Sequence, residues 1–166
     1  GCIQTCSWGS PSLGFSSGFL FQREFAAFLL SDLLGLVLVS CPVFPDRPPG
    51  LGLVHPFIYY DPISLLFAVN EDHVDEFKLI ATFDLLLNNA DRKSSHCLLD
   101  DNGKIWSIDH GVTFHEEVKH RTVIWEYAGQ EIPKKVIGSL LLFQENLVKE
   151  SSDIAPLLAL LHPLEQ

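Results

Sequence analysis

The chain has 166 residues, 47% of them hydrophobic, and a formal net charge of −10 from 11 basic and 21 acidic side chains. That length and apolar content suit one globular domain, and the acidic balance excludes a protein held to nucleic acid by general attraction to phosphate. An anionic substrate would need local cations or a metal ion.

Cys2, Cys6, Cys41 and Cys97 are scattered, with neither paired zinc spacing nor the density of a secreted disulfide scaffold. They read as reduced thiols, and the chain is expected in the cytoplasm. Cys2 and Cys6 have no second pair or nearby histidine with which to close a zinc site.

In chain order, residues 1–20 are rich in glycine, serine and aromatics without periodicity, which predicts an irregular lead-in. Phe25, Phe28, Leu29 and Leu33 recur at helical spacing, predicting a helix over Phe21 to Leu34 that stops at Gly35. The apolar run from Phe25 to Phe44 is long enough to raise a membrane span, and Arg23 precedes it as in a signal peptide. Glu24 and Asp32 interrupt that pattern, and Gly35 and Pro42 follow, so a buried helix and a strand are expected instead of stable membrane insertion. Strands are predicted over Leu36 to Phe44 and Leu53 to Tyr60, each ended by a proline-containing turn.

A second helix is predicted from about Asp72 to Asn88, on Val74, Phe77, Ile80, Ala81 and Leu85, with Asp72, Asp75 and Glu76 near its start where the helix dipole favours acids. It runs without a linker into the polar stretch Asn88 to His96. Cys97-Leu98-Leu99 and Lys104 to Ile108 flank an Asn102-Gly103 pair, a strong hairpin signal. After Asp109-His110-Gly111 come a loop carrying Lys119, Arg121 and Trp125, a helix near Ile132 to Lys149 opened by Pro133, and a last helix from Ser152 and Asp153 to His162. There is no internal repeat.

The polar stretch and the hairpin carry the chemistry. Asp91 stands five positions before His96, and Asp109 follows the hairpin, itself followed by His110 and Gly111. Protein kinases space a catalytic Asp five positions before a metal-binding Asn, with a second metal-binding Asp later in an Asp-aromatic-Gly motif. Phosphoryl transfer requires one carboxylate to orient the attacking hydroxyl and another to hold Mg²⁺ against the nucleotide phosphates. A hairpin is a rigid way to bring the two together.

The motifs Asn89 to Lys93, Ile108 to His115 and Lys119 to Trp125 resemble those of a bacterial family related to phosphatidylinositol 3- and 4-kinases. Arg23 to Ala27 and Gly50 to Val54 extend the resemblance, which covers about Phe19 to Pro133. It implies a protein-kinase-like α+β fold, with a partial small lobe over residues 1–60 and a catalytic large lobe over residues 61–166. It also implies ATP- and Mg²⁺-dependent phosphoryl transfer to an unknown acceptor. By the same resemblance Asp91, with Arg92 beside it, would form the catalytic acid/base position. Glu24 and Lys93 would serve nucleotide binding, and His96 and Asp109 would hold the metal, His96 in place of the usual Asn.

The chain departs from this pattern in one respect. Its first lysine is Lys78, so the strand lysine that grips the α- and β-phosphates is absent from residues 1–77. Gly9, Gly14 and Gly18 do not have phosphate-loop spacing. The expected explanation is a chain that lacks the start of its small lobe; the others are a pseudokinase or a different group in the lysine's role. Two further classes stay open: a non-catalytic nucleotide-binding scaffold, and a metal-dependent hydrolase built on Asp109, His96 and the series His110, His115, His120.

Overall fold

The computed structural model describes residues 19–42, 55–60, 73–115 and 117–161. Among them are four α-helices and one two-stranded sheet, a mixed α and β arrangement. Helix α1 (Phe19–Leu33) is followed by α2 (Val74–Leu87), β1 (Cys97–Leu99), β2 (Ile105–Ser107), α3 (Lys134–Val148) and α4 (Ala155–Leu161). The predicted lead-in lies almost wholly outside the described residues, and residues 61–72 lie wholly outside them.

Helix α1 stops where its sequence predicts. Gly35 takes a left-handed φ of +62°, and the Leu36 amide reaches back 2.9 Å to the Ser31 carbonyl, a Schellman closure that only glycine enters without strain. Ala26 and Ala27 are fully buried, so α1 approaches its neighbours closely and packs against α4. Its core face continues into that of α2: Phe25, Leu29 and Leu30 share one cluster with Phe77, Ile80, Phe83 and Leu87. Among the described residues no helix is long and apolar enough to cross a membrane.

The strand expected over Leu36 to Phe44 does not form in its described part. Val37 is held at φ +51°, which breaks extended backbone, and the Leu38 amide is taken by the Ser31 hydroxyl at 3.2 Å. The segment meets the sheet through one bond, from the Ser107 amide to the Leu38 carbonyl at 2.9 Å. Of the strand expected over Leu53 to Tyr60, residues 55–60 are described, and they make a single bridge, Tyr60 to Asp100.

Helix α2 has the predicted ends, with Asp75 and Glu76 in its first turn, but a different buried face. The inward residues are Phe77, Ile80, Phe83, Asp84 and Leu87, whereas Leu85, expected inside, is 62% exposed. The helix is rotated toward an aspartate because that aspartate has a buried partner. The hairpin forms in the register Cys97 to Ser107, Leu98 to Trp106 and Leu99 to Ile105. Of the Asn102-Gly103 pair only Gly103 has positive φ, +77°, so the turn is a longer one. The Asp100 carboxylate organises it, accepting from the amides of Asn102 (2.9 Å) and Lys104 (3.0 Å) and from Trp106 Nε1 (2.9 Å).

Candidate functional site

The polar stretch after α2 joins the helix to the segment that follows the hairpin. Asn88 closes α2 in the left-handed region (φ 51°, ψ 49°), which asparagine tolerates better than other side chains do. Its Nδ2 donates to the carbonyls of His115 (2.8 Å) and Glu117 (2.6 Å), and its Oδ1 accepts from the Lys119 amide (2.9 Å). Backbone bonds continue the seam, from Ala90 to the Val112 carbonyl, from Arg121 to the Asn89 carbonyl and from Arg92 to the Arg121 carbonyl. The loop bearing Asp91 is therefore fixed against the loop that leaves Asp109.

Arg92 completes the joint from inside. Its Nε and Nη2 clamp the two oxygens of Asp84 at 2.7 Å each, with both side chains fully buried. Nη1 donates to the carbonyls of His96 (3.2 Å) and Ile108 (3.0 Å), and Nη2 also donates to His110 Nε2 (3.1 Å). All five guanidinium hydrogens are thus used. Burial works against the charge on Arg92, but the Asp84 hydrogen bonds and charge outweigh it and raise its pKa. Arg92 is therefore a positioning residue, inaccessible to any substrate, and not a member of an exposed catalytic pair with Asp91.

Arginine only donates, so His110 Nε2 must accept, and His110 is the neutral tautomer protonated at Nδ1. Burial lowers its pKa, which keeps the ring neutral. Nδ1 faces Glu24 Oε1 at 3.5 Å, while the His110 amide donates to Glu24 Oε2 at 2.5 Å, joining α1 to the turn after β2. Ser107 Oγ lies 2.9 Å from His110 Nε2, an arrangement like a serine–histidine–acid triad, but Ser107 is fully buried and no substrate reaches it.

Asp109 sits between these anchors with φ +59°, its side chain 56% exposed and its Oδ2 3.2 Å from His96 Nε2. His96 is buried, which lowers its pKa against the opposing pull of Asp109. Asp91 is 44% exposed and pairs with Lys93 at 2.6 Å; the Lys93 hydrogen bond holds its carboxyl below the ordinary range and raises the lysine in turn. Both carboxylates act on the same neighbours, since Lys93 and His96 each feel Asp91 and Asp109.

Two cavities adjoin the pair. One of about 630 Å³ is lined by Glu24, His55, Ser95 and Asp109, with apolar walls that include Phe57 and Tyr60. Another, of about 650 Å³, is lined by Asp91, Lys119, His120 and Arg121. Val112 lines both. The structure thus brings Glu24 and Asp109 to one cavity and Asp91 to the next, with Lys93 beside Asp91 on the exposed side, His96 behind Asp109, and Arg92 in the core.

Asp109 offers an exposed carboxylate with an imidazole nitrogen beside it. Mg²⁺ is commonly held by one or two carboxylates together with substrate phosphates and water, and these donors fit that habit. Among the described residues no three His, Cys, Asp or Glu side chains converge to hold a metal by themselves. The histidine series does not converge: His110 is enclosed, His115 meets the Glu117 amide and Lys119 Nζ, and His120 lies edge-on to Trp125. Cys97 is a buried thiol with its pKa pushed up to about 11, which makes it unreactive.

Sequence reasoning missed Asp84 and His55. Asp84 carried a readable signal, an acid inside the run Phe83 to Leu87, because a charge on an apolar helix face needs a buried partner. His55 carried none.

No family model matches the chain. It is similar to Protein Rv2133c of Mycobacterium tuberculosis, with 30% identity over 165 residues that take in 78% of this chain and 59% of that protein. The chain thus spans well under two thirds of that relative's length.

Proposed function

We propose that the chain carries a kinase-like phosphoryl-transfer site that uses ATP and Mg²⁺, on a protein-kinase-like frame related to the phosphatidylinositol 3- and 4-kinases. In this reading residues 1–60 belong to a partial small lobe and residues 61–166 to the catalytic lobe. The observation that carries it is the Arg92 clamp. One guanidinium bonds the helix acid Asp84, the carbonyl of His96 and the carbonyl of Ile108, so the loop bearing Asp91 and the turn bearing Asp109 are held as one body. Positioning of this kind supplies most of what phosphoryl transfer asks of a protein.

The apolar walls of the 630 Å³ cavity suit a nucleotide base, and the exposed Asp109 edge suits the polyphosphate. Asp109 and His96 would hold the ion, which when bound supplies charge neutralisation at the transferring phosphoryl group. Asp91, ionised and open to the neighbouring cavity, accepts the hydrogen bond of the acceptor hydroxyl, orients it, and takes its proton as the new P–O bond forms and the bond to the leaving phosphate breaks. Lys119 and Arg121 line that cavity and suit an acceptor with an anionic group. A cytoplasmic setting supplies the ATP.

Thermal melting tests this reading. Saturating ATP with MgCl₂ should raise the midpoint by roughly 5 °C or more, the scale expected of a ligand at about a hundredfold its dissociation constant. Asp109→Ala should lose the rise, and Asp91→Asn should keep it while losing transfer. Absence of any rise in the wild type sinks the proposal.

One observation favours a second reading, a non-catalytic nucleotide-binding scaffold: among the described residues, neither lysine nor arginine lines the 630 Å³ cavity. That reading predicts the melting shift without phosphate release or transfer from radiolabelled ATP.

A further inference from the structure

Leu85, expected inside by its spacing, is exposed instead, on the wall of a groove between α2 and the segment that follows Thr122. Trp125 and Ile132, also exposed, line the same groove, which encloses about 240 Å³ and is mostly apolar. Large apolar side chains gathered around one concave place mark a binding surface, which the same residues scattered singly would not.

The groove is held open by its own structure. Tyr127 stacks on the buried Phe77 with ring centroids 6.4 Å apart, and the loop closes on itself through the Ala128 amide on the Trp125 carbonyl and Gln130 Nε2 on the Glu126 carbonyl. The His120 ring lies edge-on to the Trp125 indole at 5.8 Å and braces it. A wall ordered before binding loses little entropy when an apolar group settles on it.

Its position ties it to the acceptor. His120 lines this groove and also the 650 Å³ cavity that contains Asp91. The walls are continuous on both sides, since α2 leads from Leu85 through Asn88 to Asp91 and the facing segment leads from Trp125 through Arg121 to Lys119. They are tied together where they pass from one space to the next, by the Lys119 amide on Asn88 Oδ1 and the Arg121 amide on the Asn89 carbonyl, each at 2.9 Å. A molecule with its hydroxyl at Asp91 thus has the groove beside its neighbouring group.

Size and charge select the class of that molecule. A whole small ligand fills a pocket of roughly 300–1,000 Å³, so a groove of about 240 Å³ receives one side-chain-sized group of a longer molecule. A chain of net charge −10 is repelled by the anionic membrane surface on which a lipid acceptor would sit. Lys78 and Glu131 offset one another at the groove, whereas Lys119 and Arg121 at the acceptor cavity suit acidic neighbours of the hydroxyl. A polypeptide supplies the hydroxyl, the acidic neighbours and the apolar group on one backbone.

We infer that the acceptor hydroxyl belongs to a serine or threonine of a polypeptide, and that an apolar residue close to it in that polypeptide seats between Leu85 and Trp125. The hydroxyl oxygen gains the terminal phosphoryl group of ATP, its proton passes to Asp91, and ADP leaves. The inference rests on the phosphoryl-transfer reading above and gives that reading its substrate class.

Labelling from radiolabelled ATP in MgCl₂ tests it on glycine peptides that carry one serine, with leucine placed at each neighbouring position in turn. The best-placed leucine should raise kcat/KM over the leucine-free peptide by roughly tenfold or more, the scale of an apolar group entering a hydrophobic pocket. Leu85→Ser and Trp125→Ala should each shrink that ratio toward unity while keeping the rise in melting temperature with ATP and MgCl₂, which shows that both fold. A flat leucine scan, or a ratio that both variants leave intact, overturns the inference. So does labelling of phosphatidylinositol in phosphatidylcholine vesicles with every peptide unlabelled, which gives the acceptor to a lipid and leaves phosphoryl transfer standing. A wild type that shows the melting rise and labels no acceptor overturns it in favour of the nucleotide-binding scaffold, and one without the rise removes the phosphoryl-transfer reading as well.

Discussion

Asp91, Arg92 and Lys93 are consecutive, and they take part in two ion pairs of nearly equal length. Arg92 meets Asp84 at 2.7 Å with both side chains fully buried; Lys93 meets Asp91 at 2.6 Å with side chains 55% and 44% exposed. Distance does not distinguish them, and burial does. The inner pair sits where water cannot replace either partner, so losing one partner strands a charge in the core. The outer pair exchanges freely with solvent and holds little of the fold. Alternation of the backbone puts structure on one side of the chain and exposed carboxylate chemistry on the other, within three residues.

Arg92→Ala is the largest way to break that contrast. It leaves the Asp84 carboxylate uncompensated and frees the carbonyls of His96 and Ile108, and it should destabilise the protein by about 3–5 kcal/mol. The drop would be read as a lower urea midpoint. Combining Arg92→Met with Asp84→Leu should cost clearly less than the sum of the two single changes, because no buried charge remains. Additive losses would mean that the pair is not coupled and that the inner arginine matters only through its carbonyl contacts.

Asn88 comes next in size. Asn88→Gly keeps the left-handed helix end but deletes three side-chain bonds to residues 115–119, whereas Asn88→Ala loses the bonds and strains the backbone as well. The glycine variant should lose about 1–2 kcal/mol and the alanine variant more. Equal losses would show that the bonds, and not the backbone, hold the seam.

These two residues also mark how far the sequence could be read. Periodicity and end signals are local, so α2, α3, α4 and the hairpin stand close to where the spacing of apolar residues, Pro133 and the Asn102-Gly103 pair put them. The buried face of α2 was misjudged because Asp84 is admitted to the core by Arg92, eight residues on, with Asn89 Nδ2 donating to it as well, and no periodicity rule anticipates a paired charge. The Leu36 to Phe44 strand failed because the Ser31 hydroxyl competes for the Leu38 amide and Val37 turns left-handed, choices made by tertiary context. At the site, the order of Asp91, His96 and Asp109 was legible. The link from Glu24 to His110 spans 86 positions, and that from Ser40 to His55 joins two stretches without regular structure, so neither leaves a trace in spacing.

A smaller effect sets the inner and outer groups against each other through pH. The folded pKa of Glu24 lies below the ordinary value of 4.5, so the unfolded chain binds more protons under acid conditions. Its stabilisation is therefore present above about pH 4.5 and disappears as the pH falls through the folded value. Urea midpoints of wild type and Glu24→Gln should differ at neutral pH and converge on acidification. A gap that widens instead would mean that the burial of Glu24 outweighs the bonds from His110.

Lys93→Ala should give the smallest change in stability and the most informative one. The outer pair is solvated at both ends, so the urea midpoint should stay within error of the wild type. What should move is Asp91. The Lys93 hydrogen bond is the largest cause of its lowered pKa, and without it the carboxyl titration, followed by ¹³C NMR, should shift upward toward that of an ordinary aspartate. Lys93→Arg should keep most of the depression, because the charge survives although the geometry changes. An Asp91 titration indifferent to both substitutions would remove Lys93 from the site. A fall in stability comparable to that of Arg92→Ala would erase the division between buried scaffold and exposed chemistry drawn from these three residues.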